Sequence, residues 1–206
     1  MLGAKLAAHF ELSSPTPALV VLEPALTELI ANTDESKAKM VRGSAGLNFG
    51  TQLLIGFSTW PVDKQIPEAM RQAAINIFAF DALLQNPDRR HGNPNLLTSG
   101  DTIMVFDHEV AFSFLLDLFP SPRPWELNNQ VSLSDHVFYR QLKSQRIDLT
   151  RFTAQLDELS GEILEEIFAD VPQEWNNENG PKISRHFSSV RDHAEEFAEQ
   201  IRRFLV

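Results

Sequence analysis

Short apolar runs in the first third of the chain give way, from about Pro67, to apolar positions spaced by three and four, and this change of period organises the reading. Leu2, Leu6, Ala7 and Phe10 predict a helix over residues 2–11. Ser13 to Pro17 breaks it, and Ala18 to Leu22 reads as a short strand. Residues 24–32 are helical in pattern, and Asn32 to Lys39 is polar and loop-like. Gly43 to Thr51 is glycine-rich and reads as a turn or connecting segment, where glycine supplies positive φ. Met70, Ala73, Ala74, Ile77, Phe78, Phe80, Asp81 and Leu84 then lie on a wide apolar face of a helix ending near Gln85. Pro87 cannot donate within that helix, so Pro87 to Pro94 is a loop. Leu96-Leu97, the turn-forming Thr98 to Asp101, and Ile103 to Phe106 predict a β-hairpin. Helix is expected over residues 110–118, 134–144, 149–156 and 161–169. Ile183, Phe187, Val190, Ala194, Phe197, Ile201 and Phe204 predict one long terminal helix over 182–204. Asn176 to Pro181 is expected to be a mobile loop. The fold class is mainly α with a small β component, an α+β chain.

Composition narrows the function classes. Of 206 residues, 43% are hydrophobic and 22% charged, which is ordinary for a globular protein. A net charge of −10 argues against general nucleic-acid binding or attraction to an anionic membrane, both of which need a positive field. The absence of cysteine excludes disulfides, thiolate metal sites and cysteine nucleophiles. No apolar run is long enough for a membrane span, and Lys5, His9 and Glu11 interrupt anything resembling a signal peptide. A soluble, cytoplasmic protein is expected.

The chemistry concentrates between Asp81 and Glu109. Asp88 is followed five positions on by Asn93, and Asp107 ends the apolar run Ile103 to Phe106. A loop carboxylate, an amide five residues later and a second carboxylate at the end of a hairpin strand suit kinase-type phosphoryl transfer. The first orients a hydroxyl and takes its proton, and the other two hold metal ions that neutralise phosphate charge. The residues also admit plainer readings. Asp88, Asn93 and Asn95 are common turn formers. Asp107 could cap a following helix, with Glu109 near its positive end. His108 is either a structural hydrogen-bonding residue or a ligand. Arg89 and Arg90 could contact phosphate or pair with acidic neighbours. A metal-dependent hydrolase using Asp88, Asp107, His108 and Glu109 is a third option, weakened by the lack of a spaced histidine pair. Asp157, Glu158, Glu162, Glu165 and Glu166 read as a solvated helix face, and Trp60, Trp125 and Trp175 as packing under loops.

The runs Asp81 to Arg90, Gly92 to Leu97, Phe106-Asp107-His108-Glu109 and Gly46 to Thr51 resemble the HipA-like serine/threonine kinase family of bacteria, and most closely its short HipA-related branch. The resemblance is specific over about residues 43–112 and looser elsewhere. It implies a protein-kinase-like C-terminal lobe with a β-hairpin and a helical C-terminal extension. It implies ATP and Mg²⁺ as cofactors and a hydroxyl on an unidentified protein as acceptor. Asp88 would be the catalytic base, Asn93 and Asp107 metal ligands, and Asn86, Arg89 and Asn95 cofactor-side supports. Asp-His-Glu at 107–109 departs from the Asp-Phe-Gly of ordinary protein kinases but agrees with this branch. The family's phosphate-covering sheet, with its lysine, lies upstream of a helix resembling residues 2–10. The expectation is therefore one kinase domain over 1–206, shortened at its N-terminus, with residues 1–60 a remnant and inter-lobe segment and 61–206 the helical C-lobe. Such a chain alone is expected to show no ATP turnover. The alternative is a catalytically inactive kinase-like remnant that binds a regulatory partner. Apolar surface exposed by the missing lobe predicts self-association.

Overall fold

The computed structural model describes residues 1–128, 130–175 and 179–206. Its first helix, α1 (Leu2–His9), ends two residues short of the expected 2–11, because Glu11 is left-handed at φ 52° and Leu12 N returns to Ala7 O at 2.8 Å. The chain divides into two units, one of residues 15–54 with Met1 and one of residues 2–14 with 55–206.

In the smaller unit, β1 (Pro17–Leu22) pairs antiparallel with β2 (Gly46–Thr51), Ala18 facing Gly50 and Leu22 facing Gly46. The glycine-rich segment expected to be a turn is therefore mostly strand. Gly50 serves close approach, since a Cβ there would lie 2.9 Å from Val20 Cγ2. Between the strands are α2 (Pro24–Ala31) and α3 (Ala38–Gly43). The second lies partly in the stretch expected to be loop; at six residues it is too short to show a period, and Arg42 ties it to Glu28 of α2 at 2.9 Å. Val21, Leu29 and Met40 of this unit are exposed.

The larger unit is organised around α4 (Arg71–Leu84), entered through a 3₁₀ turn at Glu68–Met70. The sequence predicts one apolar face, but every residue from Ile77 to Leu84 is buried, so this is an interior helix. Its carbonyl end is satisfied from four directions. Asn86 N reaches Asp81 O at 2.9 Å and Gln85 N reaches Ala82 O at 3.3 Å. His186 Nε2 donates to Leu83 O at 2.8 Å, and Phe112 N reaches Leu84 O at 2.7 Å. The expected hairpin is present as β4 (Leu96–Ser99) and β5 (Thr102–Val105), joined at Gly100-Asp101, with β3 (Ser58–Thr59) added to the free edge of β4. Trp60 follows β3 into the core and packs edge-on to Phe138 at 5.4 Å.

Three helical expectations change. Over 110–118 only a 3₁₀ turn, Ser113–Leu116, forms, because Phe112 is left-handed at φ 65° to reach back to α4. Over 134–144 there is a 3₁₀ turn at Val131–Asp135 and a short α5 (Tyr139–Leu142), interrupted where buried His136 turns extended. α6 (Thr150–Glu158) and α7 (Gly161–Ala169) follow as expected, Ser160 capping the second, with the acidic run between 157 and 166 exposed. The terminal helix is two, α8 (Gly180–Arg191) and α9 (Ala194–Phe204). The break lies at Asp192-His193, where the His193 ring stacks on Trp125 with centroids 3.6 Å apart. The buried register from Ile183 to Ile201 runs straight through that break, so periodicity does not reveal it. Of the expected loop at 176–181, residues 176–178 lie outside the described residues, and Gly180-Pro181 open α8. Among the described residues no helix is long and apolar enough to cross a membrane.

Candidate active site

The residues after α4 are shaped by a buried cluster beneath them. Asp81, on the last turn of α4, and Arg89 pair through Nε at 2.6 Å with both side chains wholly buried. His136 Nε2 donates to the same carboxylate oxygen at 3.1 Å, and its Nδ1 accepts from Phe138 N at 3.1 Å, which fixes the neutral Nε2–H tautomer. Asn86 Nδ2 donates to the other oxygen of Asp81 at 2.8 Å. Burial pushes the pKa of Asp81 up, but the Arg89 charge and the His136 hydrogen bond outweigh it and hold the carboxyl at about 2. Burial lowers the pKa of His136. Arg89 also donates through Nη1 to the carbonyls of Asn95 and Phe106. Of the two readings open for Arg89, this geometry realises the acid pair.

The loop curls over that cluster. Arg90 and Asn93 exchange backbone hydrogen bonds at 3.1 and 2.9 Å, closing a tight turn around His91-Gly92, and Val137 N and Asp135 O pin it from outside. The curl returns Asn93 to Asp88. Asn93 Nδ2 and Asn95 Nδ2 donate to the same Asp88 oxygen, at 2.7 and 3.0 Å. A carboxylate only accepts, so both amides present their NH₂ groups to it and Asn93 Oδ1 is left facing away. Asn86 Oδ1 accepts from Asp88 N at 3.2 Å. The second Asp88 oxygen lies 3.5 Å from Arg90 Nε, and the Asp88 side chain is 25% exposed, within reach of a ligand.

Asp107 is held differently. Phe106 N bonds to Asn95 O at 3.2 Å, so the preceding residue is fixed to the loop. Asp107 itself is exposed and left-handed at φ 53°, and among the described residues its carboxylate accepts only from Glu109 N, at 3.4 Å. It makes no hydrogen bond to Asp88 or Asn93 and caps no helix, the expected helix being absent. His108 turns inward, edge-on to Phe80 at 5.9 Å and against Gly3, where a Cβ would meet it at 2.6 Å. Burial first, then the Arg89 charge, lowers its pKa to about 3. Its role is packing. Among the described residues no three His, Asp or Glu side chains gather as a metal site, so the hydrolase constellation does not form.

Asp88, Asn93, Asn95 and Asn86 are thus brought together by direct hydrogen bonds, and Asp107 is adjacent to them only through the backbone. The buried partners Asp81 and His136 were missed by sequence reasoning. The visible signal was a carboxylate inside an otherwise apolar helix stripe, a position a lone charge does not occupy without a partner.

Two oxygen donors, the free Asn93 amide oxygen and the Asp107 carboxylate, are hard ligands of the kind magnesium takes. That ion is usually held by one or two carboxylates together with substrate phosphates. Lys5 lies on α1 and pairs with Asp170, so it is not directed at this loop.

Over residues 1–203 the chain matches the family described as HipA-like kinase. No curated protein and no solved structure gave a match.

Proposed function

Because the chain belongs to the HipA-like kinase family, we propose that the loop at 86–95 and Asp107 form a site for phosphoryl transfer from ATP to a hydroxyl of a protein. The observation that carries this reading is the Asp88 carboxylate, oriented by two amides on a loop anchored by a buried ion pair, with its side chain 25% exposed. Asp88 is the general base that accepts the hydroxyl proton. Asn93 and Asp107 are the magnesium ligands, and Asn86 and Asn95 hold the base in place. Bound magnesium would neutralise charge on the phosphates. Arg90, exposed beside Asp88, supplies the cation that Arg89 does not.

A second reading has its own observation. Among the described residues none of the six lysines lies on a strand, where a kinase places the lysine that contacts the phosphates. On that reading the chain is an inactive kinase-like protein that works by binding a partner. Magnesium-dependent ADP formation by the purified chain separates the two. Turnover that drops by roughly 10²–10⁴ in Asp88→Ala supports the base assignment. Turnover untouched by that change overturns it, and absence of turnover in the unaltered chain decides for the second reading.

A further inference from the structure

Between the segment after Asp107 and helix α8 lies a cavity of about 580 Å³ whose lining includes none of Asp88, Asn93 and Asp107. One wall is apolar, formed by Phe114, Leu115 and three prolines at 120, 122 and 124. The opposite wall is α8, which presents Lys182, Arg185 and His186. His186 is already committed, its Nε2–H to Leu83 O at 2.8 Å and its ring stacked on Phe114 at 4.0 Å, so that part of the cavity is preformed.

Among the described residues, three donors lining the cavity lack acceptors. The side chains of Lys182 and Arg185 enter no ion pair among the described residues. Gln130 is only 7% exposed, and its Nε2 is buried without a hydrogen-bond partner. A buried donor left unpaired costs free energy that a ligand acceptor recovers. The acids in the lining are Glu126, engaged by Arg123 at 2.9 Å, and Asp117. Among the described residues, two cations without an ion pair against one such carboxylate give the lining an excess of positive charge, in a chain of net charge −10. Set against the one carboxylate of Asp117, these three donors make the net demand one for acceptors and negative charge.

The rim extends this surface beyond what a small anion covers. Leu116, Leu118 and Phe119 are 85%, 90% and 93% exposed, a run of large apolar side chains continuous with the cavity wall. We propose that the cavity and its rim dock an extended acidic segment of a partner polypeptide. A carboxylate side chain enters between Lys182, Arg185 and Gln130, and an apolar neighbour covers Leu118 and Phe119.

The test is binding of the full chain, by fluorescence anisotropy, to an array of short synthetic peptides in which Asp/Glu and Leu/Phe positions are permuted. Peptides combining both features are expected to bind, with affinity falling as salt rises. Lys182→Glu with Arg185→Glu, both surface positions, should weaken them roughly tenfold or more, and lysine-for-glutamate peptides should regain binding to that variant. Phe119→Ser should weaken binding without changing its salt dependence. Asp88→Asn should leave binding unchanged, which keeps this result separate from the fate of the phosphotransfer reading. No bound peptide, equal binding by the charge-reversed variant, or complete displacement by millimolar inorganic phosphate or free glutamate would overturn the proposal.

Discussion

The loop from Asn86 to Asn95 and the segment from Asp107 to Phe119 both reach back to the same end of α4, yet they are held by different forces. The loop rests on a wholly buried Asp81–Arg89 pair with His136 and Asn86 as further donors, and every polar side chain on it that faces Asp88 is engaged. The segment is pinned at Phe106 and Phe112, and between those pins Asp107 accepts one long hydrogen bond. Beyond Phe112 it carries side chains that are almost fully exposed. A base must be preorganised, because its geometry toward the hydroxyl sets the rate. On the proposed assignment, Asp107 would meet metal and phosphate together and gain its order from them, so the fold need not supply it beforehand.

The sharpest way to break this contrast is to remove the cation beneath the loop. Arg89→Leu leaves Asp81 as a buried carboxylate with only neutral donors. The expected loss of stability is roughly 3–5 kcal/mol, read from the urea midpoint. A loss below about 1 kcal/mol would mean that the loop does not depend on its buried pair.

Protonation offers a second, gentler break. Burial holds His186 at about 4, below its ordinary value, while its hydrogen bond to Leu83 O opposes the shift. Above pH 6.5 the ring is neutral in folded and unfolded chains, and its contribution to stability is fully present. As pH falls from about 6.5 toward 4 the unfolded chain takes up a proton that the folded one refuses. Stability therefore declines over that window by about 3 kcal/mol from this residue. Burial moves His136 in the same direction. Urea midpoints at pH 7 and pH 4.5 should differ accordingly, and His186→Gln, which can still donate to Leu83 O, should flatten the difference. An equal slope in the variant would remove His186 from the account.

The same contrast sets what the amino-acid sequence discloses. α4, the hairpin, α6 and α7 are legible because local period and turn chemistry agree with the tertiary structure. Asp88 and Asn93 are legible as a pair because a loop with a turn at His91-Gly92 returns the one to the other, whereas the spacing to Asp107 predicts a juxtaposition that no hydrogen bond makes. The anchor is not, since Asp81 meets a histidine 55 positions away and no local pattern encodes that contact. The apolar composition of the segment after Asp107 predicts helix, whereas Phe112 turns left-handed to satisfy a carbonyl of α4. The periodicity predicts a continuous terminal helix because the buried register crosses the break at Asp192-His193, where His193 stacks on Trp125, some seventy residues earlier in the chain.

A smaller effect tests the packed side of the 107–109 turn. Gly3 of α1 admits His108 at a distance no Cβ would allow, 2.6 Å. Gly3→Ala should cost about 1–3 kcal/mol through overpacking, despite the better helix propensity of alanine. Gly3→Ala combined with His108→Gly, which removes the Cβ that the added methyl would meet, should recover part of that loss if the clash is its cause. If the double variant shows only the sum of two independent losses, the contact is not what constrains Gly3.

The smallest expected stability change is the most informative about function. Asp107 is exposed, and its one hydrogen bond, at 3.4 Å, is weak. Asp107→Asn preserves shape and left-handed tolerance, so the urea midpoint should move by less than about 0.5 kcal/mol. If the residue is a magnesium ligand, removing its charge should weaken magnesium-dependent nucleotide binding by titration calorimetry while leaving the fold intact. Asp88→Asn should show less of that loss, because its carboxylate is assigned to the hydroxyl and not to the ion. A stability loss above about 1 kcal/mol in Asp107→Asn would instead make the residue part of the scaffold and erase the contrast between the two walls. An unchanged midpoint with magnesium affinity also unchanged would keep the contrast but remove the metal from it.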